Sequence, residues 1–393
     1  MTLLSSGSTV LSDELLRACG ERAATYDLEN RFFTEDFEAL RDAGYLRIAV
    51  PAELGGGGLH LAQVCAAQRR LAYWAAPTAL AVNMHLINTG VAADLWRGGD
   101  TSLEWLLREA VEGGVYAYGN AEAGTDIPLL YSTARAEKVD GGYRFYGHKN
   151  FGSLSPVWTR MNLHGADTSD PAQTKIVHAL LDRNADGYSI VETWDTLGMR
   201  ATQSHDTILD GAFVADEHVA RVVAEGFAGA DLFVLAIFAW AQLTFANVYL
   251  GLAQRAFDLA VEGVKKKTSV PLGGRSMAYH PYVQHTVAEM VLELDAMAPQ
   301  ADLVAADWST GVDHGGVWAS KLVSVKHRVT QGAQRVVDLA MEVSGGAGMF
   351  KRNELERLYR DVRAGQFHPA NPSITHEVVG KSALGVLGEE PRW

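Results

Sequence analysis

Residues 232–254 contain no Asp, Glu, Lys or Arg, and this stretch limits the possible folds more than any other part of the chain. As a helix it is long enough to cross a membrane. However, it contains Gln242, Thr244, Asn247 and Gln254, and no basic residue marks its start. Helices that are apolar around most of their circumference also occur inside large helical bundles. We therefore predict an interior helix of a soluble protein, and no membrane span.

Length and charge narrow the class of protein further. A chain of 393 residues, 48% hydrophobic and 21% charged, predicts two or three globular domains. The net charge of −13 argues against a nucleic-acid partner, because neutralising phosphates requires a basic face. The only basic run, at residues 265–267, is interpreted either as a solvated helix end or as a contact for a bound phosphate. Residues 1–12 lack the basic and apolar regions of a signal peptide, so we expect a cytoplasmic location.

Neither disulfides nor a metal site is predicted. Two cysteines, Cys19 and Cys65, cannot build a disulfide framework or a thiolate metal site, and both fall in helical patterns as apolar core residues. The thirteen histidines are dispersed, without a pair at i and i+4 beside a carboxylate. We therefore expect no metal.

The sequence pattern changes from helical to β-rich and back to helical. Residues 1–115 show helical spacing, and residues 116–225 favour roughly six to eight strands. The clearest hairpin surrounds Asp140-Gly141, where strand-forming residues flank a tight-turn dipeptide. Residues 226–393 return to long amphipathic helices. We therefore expect three domains with these boundaries and an α+β fold class.

Three segments of the β-rich region follow the motifs of a known family. Tyr116–Asp126 resembles the pattern Y-x-x-T-E-x-x-A-G-S-D, Gly147–Ser153 resembles G-x-K-x-W-I-T, and Trp194–Thr202 resembles W-x-x-x-G-x-R-x-T. Together with the glycine turn Gly345–Gly348, and in this order, they resemble the acyl-CoA dehydrogenase superfamily over nearly the whole chain. The resemblance implies an N-terminal helical domain, a middle β-barrel-like domain and a C-terminal four-helix bundle.

The resemblance also implies a flavin and the residues that contact it. Backbone amides of the first motif are expected along the edge of the flavin, while Phe151 takes the place of a tryptophan wall and Ser153 that of a hydroxyl at flavin N5. Spacing of two along a strand predicts that Phe151 and Ser153 share a face. Gly119 lacks the hydroxyl of the family's threonine. The residues of the first motif that we expect at the cofactor are Tyr116, Tyr118, Gly119, Gly124 and Thr125.

The distant half of the cofactor is expected between subunits, which implies a homodimer or homotetramer. Lys266 and Thr268 resemble the R-x-T segment that reaches a neighbour's pyrophosphate, although lysine lacks the bidentate fork of arginine. Glu342, Gly345 and Gly346 resemble the Q-x-x-G-G segment for adenosine, although glutamate lacks the amide donor. We expect FAD, with FMN as the alternative.

The catalytic base of the family is missing from both of its known positions. A glutamate usually follows the Arg360-Asp361 pair, and the matching residue is Pro369. Other members carry the glutamate at the position of Ala241, and its neighbouring arginine is replaced by Gln242. His368 is the candidate catalytic residue: a base, a hydrogen-bond donor to a flavin adduct, or a packed side chain.

Three hypotheses about function remain open at this point. The first is an FAD-dependent oxidoreductase that dehydrogenates an acyl thioester with a non-standard base and passes electrons to a partner protein. The second is a monooxygenase of the same fold that takes reduced flavin from a reductase; its family pattern also places a histidine and Asn-Pro after the Arg-Asp pair. The third is a non-catalytic flavin- or acyl-binding protein.

Overall fold

The computed structural model describes residues 10–124, 129–170, 172–226 and 231–389. The N-terminal part is helical, and α1 begins where the Ser12 side chain accepts a hydrogen bond from the amide of Leu15 (3.1 Å). Its helices are α1 (Asp13–Glu29), α2 (Thr34–Asp42), α3 (Leu61–Arg97) and α4 (Glu104–Val111).

Helix α3 joins two helices that the sequence pattern predicts separately, at Val64–Trp74 and Thr78–Leu95. The backbone leaves helical geometry at Ala75 (φ −145°, ψ 76°), two residues before Pro77. A proline inside a helix lacks an amide donor and clashes with the preceding turn, so the two halves meet at a kink.

The middle part is an eight-stranded sheet in the order β6-β7-β3-β2-β4-β5-β8, with β1 paired to β4. The predicted hairpin is confirmed: β2 and β3 pair from Arg135↔Tyr146 to Val139↔Gly142 around Gly141, whose φ is 74°. Apolar residues from β2, β3, β4, β5 and β7 form one cluster, which gives the sheet its barrel-like interior. The strands are β1 (Tyr116–Gly119), β2 (Arg135–Val139), β3 (Gly142–Gly152), β4 (Arg160–Asp167), β5 (Lys175–Asp182), β6 (Tyr188–Val191), β7 (His205–Ala215) and β8 (Val219–Ala224).

The C-terminal part is a helical bundle around α5. The charge-free stretch lies within α5, and 78% of its most apolar window is buried inside the protein. Its polar groups are satisfied there: Asn83 donates to Thr244 (2.8 Å), and Arg69 donates to Asn247 (2.6 Å). The prediction of an interior helix is therefore confirmed. The helices are α5 (Leu232–Lys266), α6 (Pro281–Ser309), α7 (Trp318–Ser344), α8 (Glu354–Asp361) and α9 (Pro372–Leu384).

The cysteines behave as apolar residues. Cys19 and Cys65 are both buried and unpaired, and burial raises the pKa of the Cys19 thiol to about 12. The fold class is confirmed, whereas the domain boundaries after residues 115 and 225 stay predictions.

Candidate active site

Two groups of residues contain the side chains for which the sequence predicts a function. We call them the β wall, formed by the ends of β1 and β3 with residues 199–204, and the loop wall, formed by residues 368–370 with α5 and α7. The β wall contains Asn120, directly after β1, which is only 8% exposed and whose side-chain oxygen and nitrogen find no hydrogen-bond partner among the described residues. Buried amides without partners are costly, so Asn120 marks a place where a ligand would complete the hydrogen bonding.

Gly119, beside Asn120, is a glycine because of packing. A Cβ there would lie 2.6 Å from the sulfur of Met161. A threonine, as in the family pattern, therefore does not fit unless Met161 moves. The missing hydroxyl at this position follows from the packing of β1 against β4.

The prediction that Phe151 and Ser153 share a face is wrong. Phe151 has a left-handed backbone (φ 61°), and β3 ends one residue later, so strand alternation does not reach Ser153. Phe151 is 55% exposed and lies edge-on to Trp194, with ring centroids 6.0 Å apart. Ser153 is buried. Their expected contacts with a flavin stay predictions.

Ser153 begins a chain of buried hydroxyl groups that sequence inspection does not reveal. Its Oγ lies 2.7 Å from Oγ of Ser204, which lies 2.7 Å from Oγ1 of Thr202, and Thr202 donates to the carbonyl of Met199 (2.9 Å). The amide of Met199 donates to the Asp361 carboxylate (2.5 Å), at the end of α8. The chain therefore links the β wall to the helix that precedes the loop wall.

A buried ion pair connects the segment after β1 to β3 in the β wall. Glu122 and Lys149 contact each other, and Glu122 also accepts from Ser132 (2.7 Å) and from the amide of Thr133 (2.5 Å), while Lys149 donates to the carbonyl of His164 (2.5 Å). Burial lowers the pKa of Lys149 to about 8, against the opposing effect of Glu122. Burial acts to raise the pKa of Glu122, but Lys149 and the hydrogen bonds outweigh it and lower that pKa. The pair ties the segment carrying Asn120 to β3.

His368 belongs to the loop wall and is held as a neutral imidazole. Its ring stacks on Phe245 (centroids 4.6 Å apart, planes 9° apart), and Nε2 lies 2.7 Å from the hydroxyl of Tyr249. Burial and, to a smaller degree, the charge of Lys326 lower the pKa of His368 to about 3. Burial also raises the pKa of Tyr249, which therefore keeps its proton.

The residue beside one position of the family's base contacts the other position. The Gln242 side chain donates to the carbonyl of Pro369 (2.8 Å) and accepts from the amide of Ala370 (3.4 Å). Ala241 precedes Gln242 in α5. Gln242, the residue after Ala241, thus contacts Pro369, and neither Ala241 nor Pro369 holds a carboxylate.

Lys326, which sequence reasoning missed, completes the loop wall. It is 1% exposed and donates to the carbonyls of His368 (2.7 Å) and Ala370 (2.9 Å). Burial lowers its pKa to about 7. Its spacing was a usable signal, because it lies four residues after Leu322 and four before Thr330, both buried.

Of the remaining first-motif residues, Tyr116 is engaged by the protein itself. Its amide donates to Nδ1 of His85 (3.2 Å) and its hydroxyl to the carbonyl of Leu106 (2.8 Å). Tyr118 follows in β1, and burial raises the pKa of its phenol. Gly124 has a φ of 89°, and Thr125 lies outside the described residues. Their cofactor contacts stay predictions.

The residues expected at the distant half of the cofactor all lie on the surface of the chain. Lys266 forms an ion pair with Glu262, and Thr268 pairs with Ser276 in a short bridge. The two expected segments are adjacent, because the Nζ of Lys267 is 3.6 Å from the position of a Cβ on Gly345. The residues exposed here are Lys266, Thr268, Glu342, Gly345 and Gly346.

Comparison with known proteins agrees with this architecture. The acyl-CoA dehydrogenase N-terminal domain model matches residues 12–102, and the acyl-CoA dehydrogenase C-terminal domain model matches residues 243–372. YdbM of Bacillus subtilis (strain 168), provisionally named an acyl-CoA dehydrogenase, is 32% identical over 92% of this chain and 93% of its own length.

Other relatives carry different names. The amino sugar nitrososynthase DnmZ of Streptomyces peucetius is 30% identical over 89% of this chain and 86% of its own, and a dibenzothiophene monooxygenase of Mycolicibacterium goodii is 29% identical over 85% and 83%. The structure of KijD3 in complex with FMN and dTDP-3-amino-2,3,6-trideoxy-4-keto-3-methyl-D-glucose superposes with a TM-score of 0.82 at 28% identity, covering 95% of this chain and 92% of that chain. The protein is thus a flavoenzyme of the acyl-CoA dehydrogenase superfamily, which includes dehydrogenases, monooxygenases and nitrososynthases.

Proposed function

We propose that the protein is a flavin-dependent monooxygenase that uses reduced flavin delivered by a separate reductase. The observation that carries the proposal is the loop wall. Neither Ala241 nor Pro369, the positions that match the family's base, holds a carboxylate, and the polar groups of the loop wall are the Gln242 amide, the neutral His368 and Lys326. Proton removal next to a thioester requires a well-placed base, whereas oxygen transfer does not depend on a carboxylate at this point.

The residues of the β wall fit a flavin. Asn120 offers a buried oxygen and nitrogen that have no partner in the described part of the chain, and Ser153 offers a fixed hydroxyl. These two side chains would hold polar atoms of the ring while Phe151 covers it. When bound in its reduced form, the flavin supplies the two electrons with which one oxygen atom of O2 is transferred to the substrate and the other leaves as water.

The hydroxyl chain behind Ser153 favours the reduced flavin. Each hydroxyl has one hydrogen to donate. Thr202 gives its hydrogen to the Met199 carbonyl, so Ser204 must donate to Thr202, and Ser153 must donate to Ser204. Ser153 Oγ is thereby left with lone pairs only. If it faces N5, as the resemblance implies, it suits the N–H of reduced flavin better than the bare nitrogen of oxidised flavin.

His368 would act as a hydrogen-bonding group of the loop wall. With Tyr249 donating to its Nε2, the neutral imidazole carries its proton on Nδ1, which becomes a donor. We assign His368 the task of presenting this proton to a developing negative oxygen. For the substrate we propose a small molecule with an amine nitrogen or a sulfur as oxygen acceptor, by analogy with the nitrososynthase and monooxygenase relatives.

The flavin that we propose is FMN, with FAD as the alternative that the sequence predicts. Lys266 and Glu342 replace the arginine and glutamine of the family's adenosine side, and the similar structure of KijD3 contains FMN. Chromatography of the flavin released by heat distinguishes the two. A homo-oligomer, a flavin reductase as partner and a cytoplasmic location complete the proposal.

Dehydrogenation of an acyl thioester is the second candidate, favoured by the similarity to YdbM. His368 would then have to act as the base. Anaerobic mixing of the flavin-loaded protein with a series of acyl-CoA thioesters separates the candidates. We expect the oxidised flavin absorbance to persist with every thioester, because neither Ala241 nor Pro369 supplies a carboxylate. Rapid bleaching with any thioester would overturn the monooxygenase proposal.

A further inference from the structure

The loop that carries His368 has no backbone hydrogen bonds of its own. Residues 368–370 lie between the 3-10 turn Val362–Gln366 and α9, and within the described chain they take part in no backbone–backbone hydrogen bond. Their three successive carbonyls are instead bound by side chains: those of His368 and Ala370 by Lys326, and that of Pro369 by Gln242.

We propose that Lys326 is a positioning residue that clamps the His368 loop between α5 and α7. The contacts are directional: one ammonium group bridges carbonyls two residues apart, so it fixes the backbone on both sides of Pro369. Gln242 fixes the residue between them from the opposite helix. Because the His368 ring has only Tyr249 and Phe245 as described neighbours for hydrogen bonding and stacking, its direction follows from the backbone that Lys326 holds.

Lys326 carries out this task without a counter-charge. No described carboxylate forms an ion pair with it, unlike the nearby Arg363, which pairs with Asp338. The titratable groups that interact electrostatically with it are His368 from the loop and His327, its neighbour in α7. Tyr249 of α5 contacts His368. His376 of α9 stacks edge-on to His327, with centroids 5.1 Å apart. The number of hydrogen bonds that Lys326 can donate to the loop carbonyls therefore depends on the protonation of its amine.

The substitution Lys326→Met tests the clamp, because methionine keeps most of the apolar stem and removes the donors. The clamp predicts a fall in kcat of about 10- to 100-fold, since small misplacements of a reacting group have effects of that size. KM should stay close to the wild-type value, and the pH profile of kcat should lose the step that deprotonation of Lys326 causes. Lys321→Met, on the same helix and partly exposed, is the matched control and should leave both constants unchanged.

A second readout separates this inference from the proposed function, on which its kinetic part rests. In the flavin-loaded full chain with 15N-labelled histidine, the His368 signal is identified by its loss in His368→Asn. We expect Lys326→Met, and not Lys321→Met, to shift this signal, whichever reaction the enzyme catalyses. An unmoved His368 signal would overturn the clamp. If oxygen transfer fails but the signal moves, the proposed function is wrong and the clamp stands.

Gln242→Met is a second test of the clamp that changes no buried charge. It keeps the proposal testable if Lys326→Met fails to fold. It releases Pro369 from α5, so it should also lower kcat with little change in KM and shift the His368 signal. Wild-type kcat in both folded variants would contradict the clamp.

Discussion

The two walls of the candidate site each contain a lysine that is only 1% exposed, and they hold it in opposite ways. On the β wall, Lys149 meets the carboxylate of Glu122. On the loop wall, the hydrogen-bond partners of Lys326 among the described residues are the carbonyls of His368 and Ala370. A buried charge with an opposite partner resists deprotonation more than one without, which agrees with pKa values of about 8 for Lys149 and about 7 for Lys326.

The two buried lysines should therefore respond differently to pH and to substitution. The Lys149–Glu122 ion pair of the β wall should persist in the folded protein, because breaking it leaves an unpaired charge buried inside the protein. In the loop wall, a lysine that titrates near neutral pH donates to backbone carbonyls, so these hydrogen bonds can change with pH without unfolding the domain. We therefore expect the β wall, the proposed cofactor side, to respond less to pH than the loop wall that holds His368.

Breaking the Lys149–Glu122 ion pair should produce the largest loss of stability. Lys149→Met leaves the Glu122 carboxylate buried without its partner and should lower the free energy of unfolding by about 3–5 kcal/mol. Urea unfolding measures this loss. The double variant Lys149→Met with Glu122→Leu removes both charges and should recover most of it. The matched control is Lys138→Met, since Lys138 pairs with Asp216 on the surface and should cost at most about 1 kcal/mol.

Breaking the loop contacts should cost less. Lys326→Met leaves two carbonyls without donors but no opposite charge, so we expect a loss of about 1–3 kcal/mol in the same urea experiment. A loss as large as that of Lys149→Met would contradict the comparison, because it would mean that Lys326 has a charged partner.

The pH dependence of stability should distinguish the two lysines more finely. The pKa of Lys326 is lowered to about 7 in the folded protein from 10.5 when unfolded. Above pH 7 the unfolded chain therefore binds more protons than the folded one, and stability rises with pH until about the unfolded pKa. Lys149 contributes a similar rise only above about pH 8. Unfolding curves between pH 6 and 10 should show the rise beginning later in Lys326→Met than in the wild type; an identical onset would contradict this assignment.

The smallest expected effect concerns the hydroxyls of the β wall. Ser204→Ala removes the acceptor to which Ser153 donates, which frees the Ser153 hydrogen for a ligand. We expect the preference for reduced over oxidised flavin to fall by several-fold, at a scale of about 1 kcal/mol for one neutral hydrogen bond. Anaerobic and aerobic flavin titrations give the two dissociation constants. An unchanged ratio would show that Ser153 does not meet the flavin through its oxygen.

Much of the fold could be predicted from the sequence because its signals are local. The charge-free stretch of α5, the Asp140-Gly141 turn and the ordered motifs each indicate one structure. Strand β4 is not evident from the sequence, because Asn162 and His164 interrupt its apolar pattern. Both are nevertheless buried, and Asn162 donates to Asn88 of α3 (3.0 Å). Such a partner, distant in sequence, is invisible to periodicity.

The candidate site was harder to predict for the same reason. The motifs identified Ser153 and His368, but the groups that hold them come from segments far along the chain. Ser204 reaches Ser153 across a turn, and Lys326 reaches the His368 loop from α7. The left-handed backbone of Phe151 also explains why Phe151 and Ser153 do not share a face as strand alternation predicts. The φ angle at one residue changes the direction of the side chains that follow.

Labelling with 18O2 tests the proposed oxygen transfer most directly. The enzyme is supplied with reduced flavin by a reductase under 18O2 and offered a panel of small amines, thioethers and acyl-CoA thioesters, and the products are analysed by mass spectrometry. We predict a product from an amine or thioether that gains one labelled oxygen, and no product from the thioesters. A thioester that loses two hydrogens and gains no label would contradict the account and establish a dehydrogenase.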